Sequence, residues 1–236
     1  MAKPRNRGKQ SNDDQYFAPT WHPTFRDAAD DLGHLLGRGY APHSALQLVG
    51  NRYRLNKRQR NAIFRISASP QAIAQRRARE WSSAQVAGQA IDIDGFNLLI
   101  LLESALSGAY LFRGRDGTFR DISSVHGSYK RVPKTEAAIL LLGRLLSEWG
   151  VGPVRWYLDQ PISNSGRLKS RLRELSDAAN WDWQVDLVYN PDKVLAESEN
   201  LVVSTDAWIL DRAVRWWNLG ALIIHRAIPE APPLAV

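Results

Sequence analysis

After Ala87 the chain alternates short β-rich runs with amphipathic helical ones, and that alternation limits the possible folds more than any other feature. "QAIDIDGF" is followed by a helical pattern from Asn97 to about Ser107, and "AYLFRGRDGTFRDI" reads as a hairpin around Asp116-Gly117. "PKTEAAILLLGRLLSEWG" is a helix opened by Pro133 and closed by Gly150. "VRWYLD", "WQVDLVYN" and "NLVVSTD" read as strands, with "SNSGRLKSRLRELSDAAN" and "AWILDRAVRWWN" as helices between and after them. "ALIIHRAIP" is expected to be a last strand. Such a series predicts an α/β fold with a mainly parallel sheet flanked by helices.

The preceding residues have a different texture. Residues 1–20 are polar and basic without apolar periodicity, which predicts a disordered arm. From Trp21 the pattern is helical: "HPTFRDAADDLGHLL" aligns Phe25, Ala28, Ala29, Leu32, Leu35 and Leu36 on one face. "PHSALQLVGN" is a shorter helix, Asn56 caps "KRQRNAIFRI", and Ser69-Pro70 starts "PQAIAQRRAREW". The expected organisation is an arm over 1–20, an all-helical region of about four helices and no strand over 21–88, and an α/β domain over 89–236.

Charge follows the same division. Residues 21–88 hold eleven basic against four acidic side chains, +7, whereas residues 89–236 hold sixteen against eighteen, −2. One part is suited to gripping a polyanion, the other to collecting carboxylates. Cysteine is absent, which excludes a disulfide framework and thiolate metal sites. No apolar run reaches membrane-span length and no signal-peptide core is visible, so a cytoplasmic protein without a membrane partner is expected.

Ligands of an open parallel sheet bind beyond the carboxyl ends of its strands. Three of the expected strands end in aspartate: "IDID" at Asp94, "RWYLD" at Asp159 and "VVSTD" at Asp206. Oxygen-rich sites of this kind suit Mg²⁺ or Mn²⁺. Asn97, one helical turn after Asp94, either positions a water, supports Asp94 or caps the helix. Thr205 either orients Asp206 or satisfies backbone.

These words resemble a known family. "IDGFN" is similar to the first-strand motif of the PIN-like nuclease superfamily, including its NYN branch, and "VVSTDAWILDRA" to its late acidic strand. Residues 21–228 also resemble a prokaryotic PIN-like family, known only as a domain of unknown function, in which a small helical region precedes the α/β domain. The matching words are "DGFNLLILLESAL", "RDISSVHGSYK", "LDQPISNSGRLK" and "STDAWILDR". The resemblance implies strand order about 3-2-1-4-5 and metal-dependent endonucleolytic hydrolysis of RNA, single-stranded above all. It implies Asp94 and Asp206 as metal ligands, with Glu103, Asp159 and Asp211 as further candidates. The superfamily's middle acidic residue has no unique counterpart; Glu103, Asp121 and Asp159 compete for it.

Phosphate-binding candidates form three groups. "SNSGRLK" opens a helix with small residues ahead of Arg167 and Lys169. "HGSYKR" brings His126, Tyr129, Lys130 and Arg131 into one loop. Between residues 51 and 80, Arg52, Arg54, Lys57, Arg58, Arg60, Arg65, Arg76, Arg77 and Arg79 face Glu80 alone, a density that like-charge repulsion disfavours on a merely solvated face. Tyr53 is a stacking candidate or a core residue, and the tryptophans are assigned mainly to the core.

Two rival functions remain open at this stage. "DIDGF" also resembles the first motif of haloacid-dehalogenase-like phosphatases, in which Asp92 would be the nucleophile; Phe96 departs from that motif and no lysine motif follows. The third reading is a PIN-like protein that binds RNA without cutting it. A homo-oligomer is compatible with all three.

Overall fold

The computed structural model describes residues 8–123, 129–130 and 132–235. Five helices come first: α1 (Asp13–Tyr16), α2 (His22–Gly37), α3 (Pro42–Arg52), α4 (Lys57–Ile66) and α5 (Pro70–Arg79). Asn56 and Gln59 form a reciprocal capping box at α4, and the Ser69 hydroxyl accepts from the Ala72 amide at α5. Then come β1 (Glu80–Trp81), β2 (Ile91–Asp94), α6 (Gly95–Leu106), β3 (Leu111–Arg113), β4 (Phe119–Asp121), α7 (Thr135–Glu148) and β5 (Val154–Asp159). The chain continues with α8 (Ser165–Ala179), β6 (Trp183–Val188), α9 (Pro191–Ala196), β7 (Leu201–Val203), α10 (Ala207–Leu210), β8 (Trp216–Trp217) and α11 (Leu219–Ala227).

Six strands build one sheet in the order β1-β8-β7-β2-β5-β6, with every pairing parallel. Counted from β2, the five strands β2, β5, β6, β7 and β8 stand in the order 3-2-1-4-5, and β1 is added at the edge. The expected α/β class, with its helical region in front, is the class observed. No helix among the described residues is long and apolar enough to cross a membrane.

The two faces of the sheet are unequal. Ile91, Ile93, Trp156, Leu158, Val185, Leu201 and Val203 point to the main core, which α6, α7, α8 and α11 cover. The opposite face carries Tyr157, Val202 and Trp216 under α9 and α10, two short helices. Period-two alternation therefore puts Asp92, Asp94 and Asp159 on the thinly covered face. Gly95 lets α6 start directly at the strand end, since a Cβ there would meet Leu158 Cδ2 at 2.5 Å.

A second core lies in the helical region, where Phe25, Leu32, Val49, Ile63 and Ile66 pack together. Phe112 and Ile122 of the hairpin belong to this cluster, while its Leu111 and Phe119 belong to the α/β core. The β3–β4 hairpin is thus shared between the two parts.

Three expectations are corrected. The segment "ALIIHRAIP" is helix α11, not a strand, and the last strand is Trp216–Trp217. An apolar run this short has no period that separates strand from helix; here Gly220 lets α11 press onto Leu101 of α6. The helical region is not strand-free, because Glu80–Trp81 pairs with Trp216–Trp217. Within the arm, residues 8–20 are folded onto the body: Asp13 and Phe17 are buried, and Arg58 closes an ion pair on Asp13 at 2.8 Å. Trp156, Trp216 and Trp217 are buried, and Trp208 is 44% exposed.

Phe17 is 2% exposed and its ring lies 4.9 Å from that of Phe112, so it ties the arm to the hairpin. Phe17→Ala is expected to lower the unfolding free energy by about 3 kcal/mol in a urea titration; a change near zero would mean that the arm is not docked in solution.

Candidate active site

Asp94 ends β2 with only 7% exposure, and its Oδ2 accepts a 2.7 Å hydrogen bond from the Ser204 hydroxyl. Burial pushes its pKa up to about 7; Ser204 and the Asn97 amide pull against the rise, while Asp192 and Asp206 add to it. The same Ser204 oxygen accepts from the Asp206 amide at 3.0 Å, so one hydroxyl spaces the two carboxylates. Asp206 caps α10, its Oδ1 accepting from the Trp208 amide at 2.8 Å. Asn97 braces this loop from α6: its Oδ1 accepts from both the amide and the hydroxyl of Thr205, at 3.0 and 2.9 Å.

Asp159 ends β5, beside β2 in the sheet; burial raises its pKa, and its Oδ1 is buried with no hydrogen-bond partner among the described residues. Asp192, in the first turn of α9, is raised by desolvation and then by Asp206 and Asp159. At the carboxyl edge of the sheet, Asp94 thus feels the charges of Asp192 and Asp206, and Asp192 those of Asp206 and Asp159. Among the described residues, no three His, Cys, Asp or Glu side chains form a ready-made metal-ligand group.

The loop that carries Asp206 is held from behind by buried charges. Arg76 of α5 donates to Asp116 at 2.5 Å and to Asp211 at 2.7 Å. Arg120 of β4 grips Asp116 through two bonds of 2.9 and 2.6 Å and donates to the Thr205 carbonyl at 2.8 Å. Burial alone would raise the Asp116 carboxyl, but Arg120 and then Arg76 hold it well below the usual carboxylate range.

Several candidate residues are placed elsewhere. Glu103 is fully buried near the far end of α6, accepting from the Tyr129 and Thr135 hydroxyls, and so holds those two side chains. The Asp211 carboxylate is taken by Arg76. Asp121 lies in the hairpin, accepting from the Ser123 amide and facing Arg65 at 3.9 Å. Asp92 is 3% exposed and held by Ser198 at 2.6 Å and Asn200 at 3.3 Å, which hides it from a substrate phosphoryl group.

The basic run divides in the same way. Arg76 is 3% exposed, Arg58 is committed to Asp13, Arg79 donates to the Asp211 and Ala213 carbonyls, and Arg60 to Leu55 and Asn51. These four are structural and are corrected as phosphate contacts. Arg52 approaches Asp31 at 3.4 Å and Tyr53 donates to the same residue at 2.8 Å. Arg54, Lys57 and Arg77 remain on the surface. Lys130 and Arg167 line one cavity of about 440 Å³ at the start of α8, just beyond Asp159 in the chain, and Lys169 follows on the same helix. His126 and Arg131 lie outside the described residues.

Ser204 and Asp192 were not among the sequence candidates. Asp192 follows β6 as the other carboxylates follow their strands, a signal within reach of the strand-end rule. Ser204 becomes visible only through the register, which pairs Ile93 with Val203 and so sets Ser204 against Asp94.

Fold and site together define a class: a mainly parallel α/β protein with carboxylates along one strand edge and a helical region braced behind them. Residues 83–222 match the family described as Domain of unknown function (DUF5616), and the chain belongs to that family. Residues 24–79 match a second, Protein of unknown function (DUF434). The chain is 33% identical over 189 residues to the uncharacterized protein MJ0935 of Methanocaldococcus jannaschii, covering 80% of this chain and 90% of that protein. No solved structure matches it.

Two outcomes test this geometry. In EDTA, ionising Asp94 as pH rises toward 7 opposes folding, because its folded pKa lies above the unfolded carboxylate's. Asp94→Asn should therefore stabilise the protein by on the order of 2 kcal/mol at pH 8 and by little at pH 4; thermal melts at both values check the sign. Asp116→Ala strands Arg76 and Arg120 and should cost about 3–5 kcal/mol; a loss under about 1 kcal/mol in denaturant unfolding would deny the network that role.

Proposed function

We propose that this protein is a metal-dependent ribonuclease of PIN-like type, cutting single-stranded RNA at the strand-end carboxylates with Mg²⁺ or Mn²⁺. The observation that carries this reading is Asp94, a strand-end carboxyl held by Ser204 and pushed up to about 7 by burial, with the charges of Asp192 and Asp206 adding to the rise. Carboxylates drawn together against their own repulsion are what a hard cation relieves. The strand order 3-2-1-4-5 and the positions of Asp94 and Asp206 within it support the PIN-like part of the reading.

The residues fit one kind of ion better than another. All the donors are hard oxygens, and Asp159 Oδ1 is a buried acceptor that lacks a partner. Without a ready group of three ligands, the site fits a Mg²⁺ or Mn²⁺ held by one or two carboxylates, Asp94 and Asp206, with water and substrate phosphate completing the shell. Such an ion supplies Lewis acidity toward the phosphodiester and its attacking water. The remaining work belongs to the chain. Ser204 fixes the Asp94 carboxylate, Asn97 fixes the loop that carries Asp206, and Asp159 offers an acceptor to water. Lys130 and Arg167, with the α8 amides, hold a phosphate of the strand beside them.

The test is incubation of purified protein with labelled single-stranded RNA, single-stranded DNA and a generic phosphomonoester, in Mn²⁺, Mg²⁺ or EDTA. RNA cleavage with metal, absent in EDTA and reduced at least about 100-fold by Asp94→Asn or Asp206→Asn, is expected. Asp211→Asn and Glu103→Gln should retain the metal dependence. Affinity for Mn²⁺ should rise from pH 6 to pH 8, since Asp94 must lose its proton to bind. Phosphomonoester turnover lost on Asp92→Asn would replace this reading with the phosphatase. RNA bound but uncut in every arm would leave a non-catalytic RNA-binding protein.

A further inference from the structure

Many basic side chains of the helical region are consumed by the fold, but not all. Arg77, on α5, and Arg113, at the end of β3, are both exposed, and neither side chain has a hydrogen-bond or ion-pair partner among the described residues. They line one cavity of about 460 Å³ between α5 and the hairpin. The nearest buried carboxylate, Asp116, is already taken by Arg76 and Arg120. Glu80, whose carboxyl is raised by burial while Asn218 and then Arg77 pull against the rise, also lines the cavity and leaves the pair with excess positive charge.

A second cavity of about 310 Å³ shares Glu80, Arg113, Gly117 and Asn218 with the first, so the two are contiguous. Its walls are aromatic: Trp81, and His225 standing edge-on to Phe119 with centroids 4.9 Å apart. At the shared wall, Asn218 donates through Nδ2 to the Gly117 carbonyl at 3.2 Å, while its Oδ1 is buried without a partner. A charged chamber, an unmet acceptor and an aromatic recess follow one another along a single cleft.

We propose that this cleft binds a nucleotide unit, with its phosphate on Arg77 and Arg113 and its base in the recess formed by Trp81 and His225. Guanidinium forks match phosphate oxygens, and planar bases lie against aromatic side chains. Asn218 Oδ1 accepts from a ribose hydroxyl or an exocyclic amine. Both volumes fall within the roughly 300–1,000 Å³ usual for small-ligand sites. The nucleotide is either a residue of an RNA strand or a free mononucleotide; the recognising chemistry is the same. This site is separate from the strand-end carboxylates, and its occupancy does not require that anything be hydrolysed.

The experiment is calorimetric titration of the full chain in EDTA with AMP, a single-stranded oligoadenylate and inorganic phosphate. Wild type should bind AMP, and Arg77→Gln/Arg113→Gln should weaken it at least tenfold, while Asp94→Asn binds as wild type does. Both arginines are exposed, so circular dichroism should show an unchanged fold. His225→Ala should weaken AMP and leave phosphate unaffected. AMP displaced by oligoadenylate places an RNA residue in the cleft; AMP bound without such competition places a free nucleotide there. The proposal is overturned if neither AMP nor oligoadenylate binds, if phosphate binds as tightly as AMP, or if the double variant or His225→Ala matches wild type for AMP. Because no arm depends on cleavage, failure here is distinct from failure of the nuclease reading.

Discussion

The structure depends on a buried cluster of alternating charge in which Asp116 stands between Arg76 and Arg120, both arginine side chains being 4% exposed. Three parts of the chain meet there: helix α5, the β3–β4 hairpin, and the loop from Thr205 to Asp211. Hydrophobic packing alone would let these surfaces slide, since it is not directional. Guanidinium–carboxylate forks are directional, and removing one member leaves a buried charge unmatched. Asp211 supplies the second negative charge, so two cations and two anions balance. The helical region is therefore a brace behind the site, joined to it by fixed geometry.

The hairpin has the complementary role in apolar packing. Alternate side chains of one short ribbon serve two cores, Phe112 and Ile122 on the helical side, Leu111 and Phe119 on the other. Helical region and α/β domain are thus not independent bodies on a linker. This explains how a segment rich in arginine tolerates its own charge: Arg58, Arg76 and Arg79 are spent on Asp13, Asp116, Asp211 and backbone carbonyls.

At the opposite extreme of electrostatics, the carboxylates Asp94, Asp159 and Asp192 at the strand edge have no cationic partner among the described residues. Parallel strands are normally apolar on both faces because helices cover both. Here one face has only α9 and α10 over it, and "IDID" alternates because of that. The thin layer leaves Asp94 desolvated yet close to the edge, where the charges of Asp192 and Asp206 add to its proton affinity. Ser204 and Asn97 hold this arrangement open, each accepting or donating across the gap between β2 and the β7–α10 loop.

Local chemistry was legible in the sequence. The caps at Asn56 and Ser69, the Asp116-Gly117 hairpin, the β-α alternation and the aspartates at the ends of β2 and β5 and soon after β7 all follow from interactions within a few residues. Partners distant in the chain were not legible. Arg76 and Arg77 are adjacent and chemically identical, yet one is buried and the other exposed, because a helix turns about 100° per residue and only packing decides which side is inward. Glu103 and Asp211 carry the same carboxyl group as Asp94, but tertiary contacts give one to Tyr129 and Thr135 and the other to Arg76. The last strand along the chain was Trp216–Trp217 and not "ALIIHRAIP", a choice made by the fit of α11 against α6. The sequence by itself determined the class of fold and the edge on which acids gather. The tertiary structure decided which acids remain there, because charge pairing and burial depend on neighbours that the order of residues does not name.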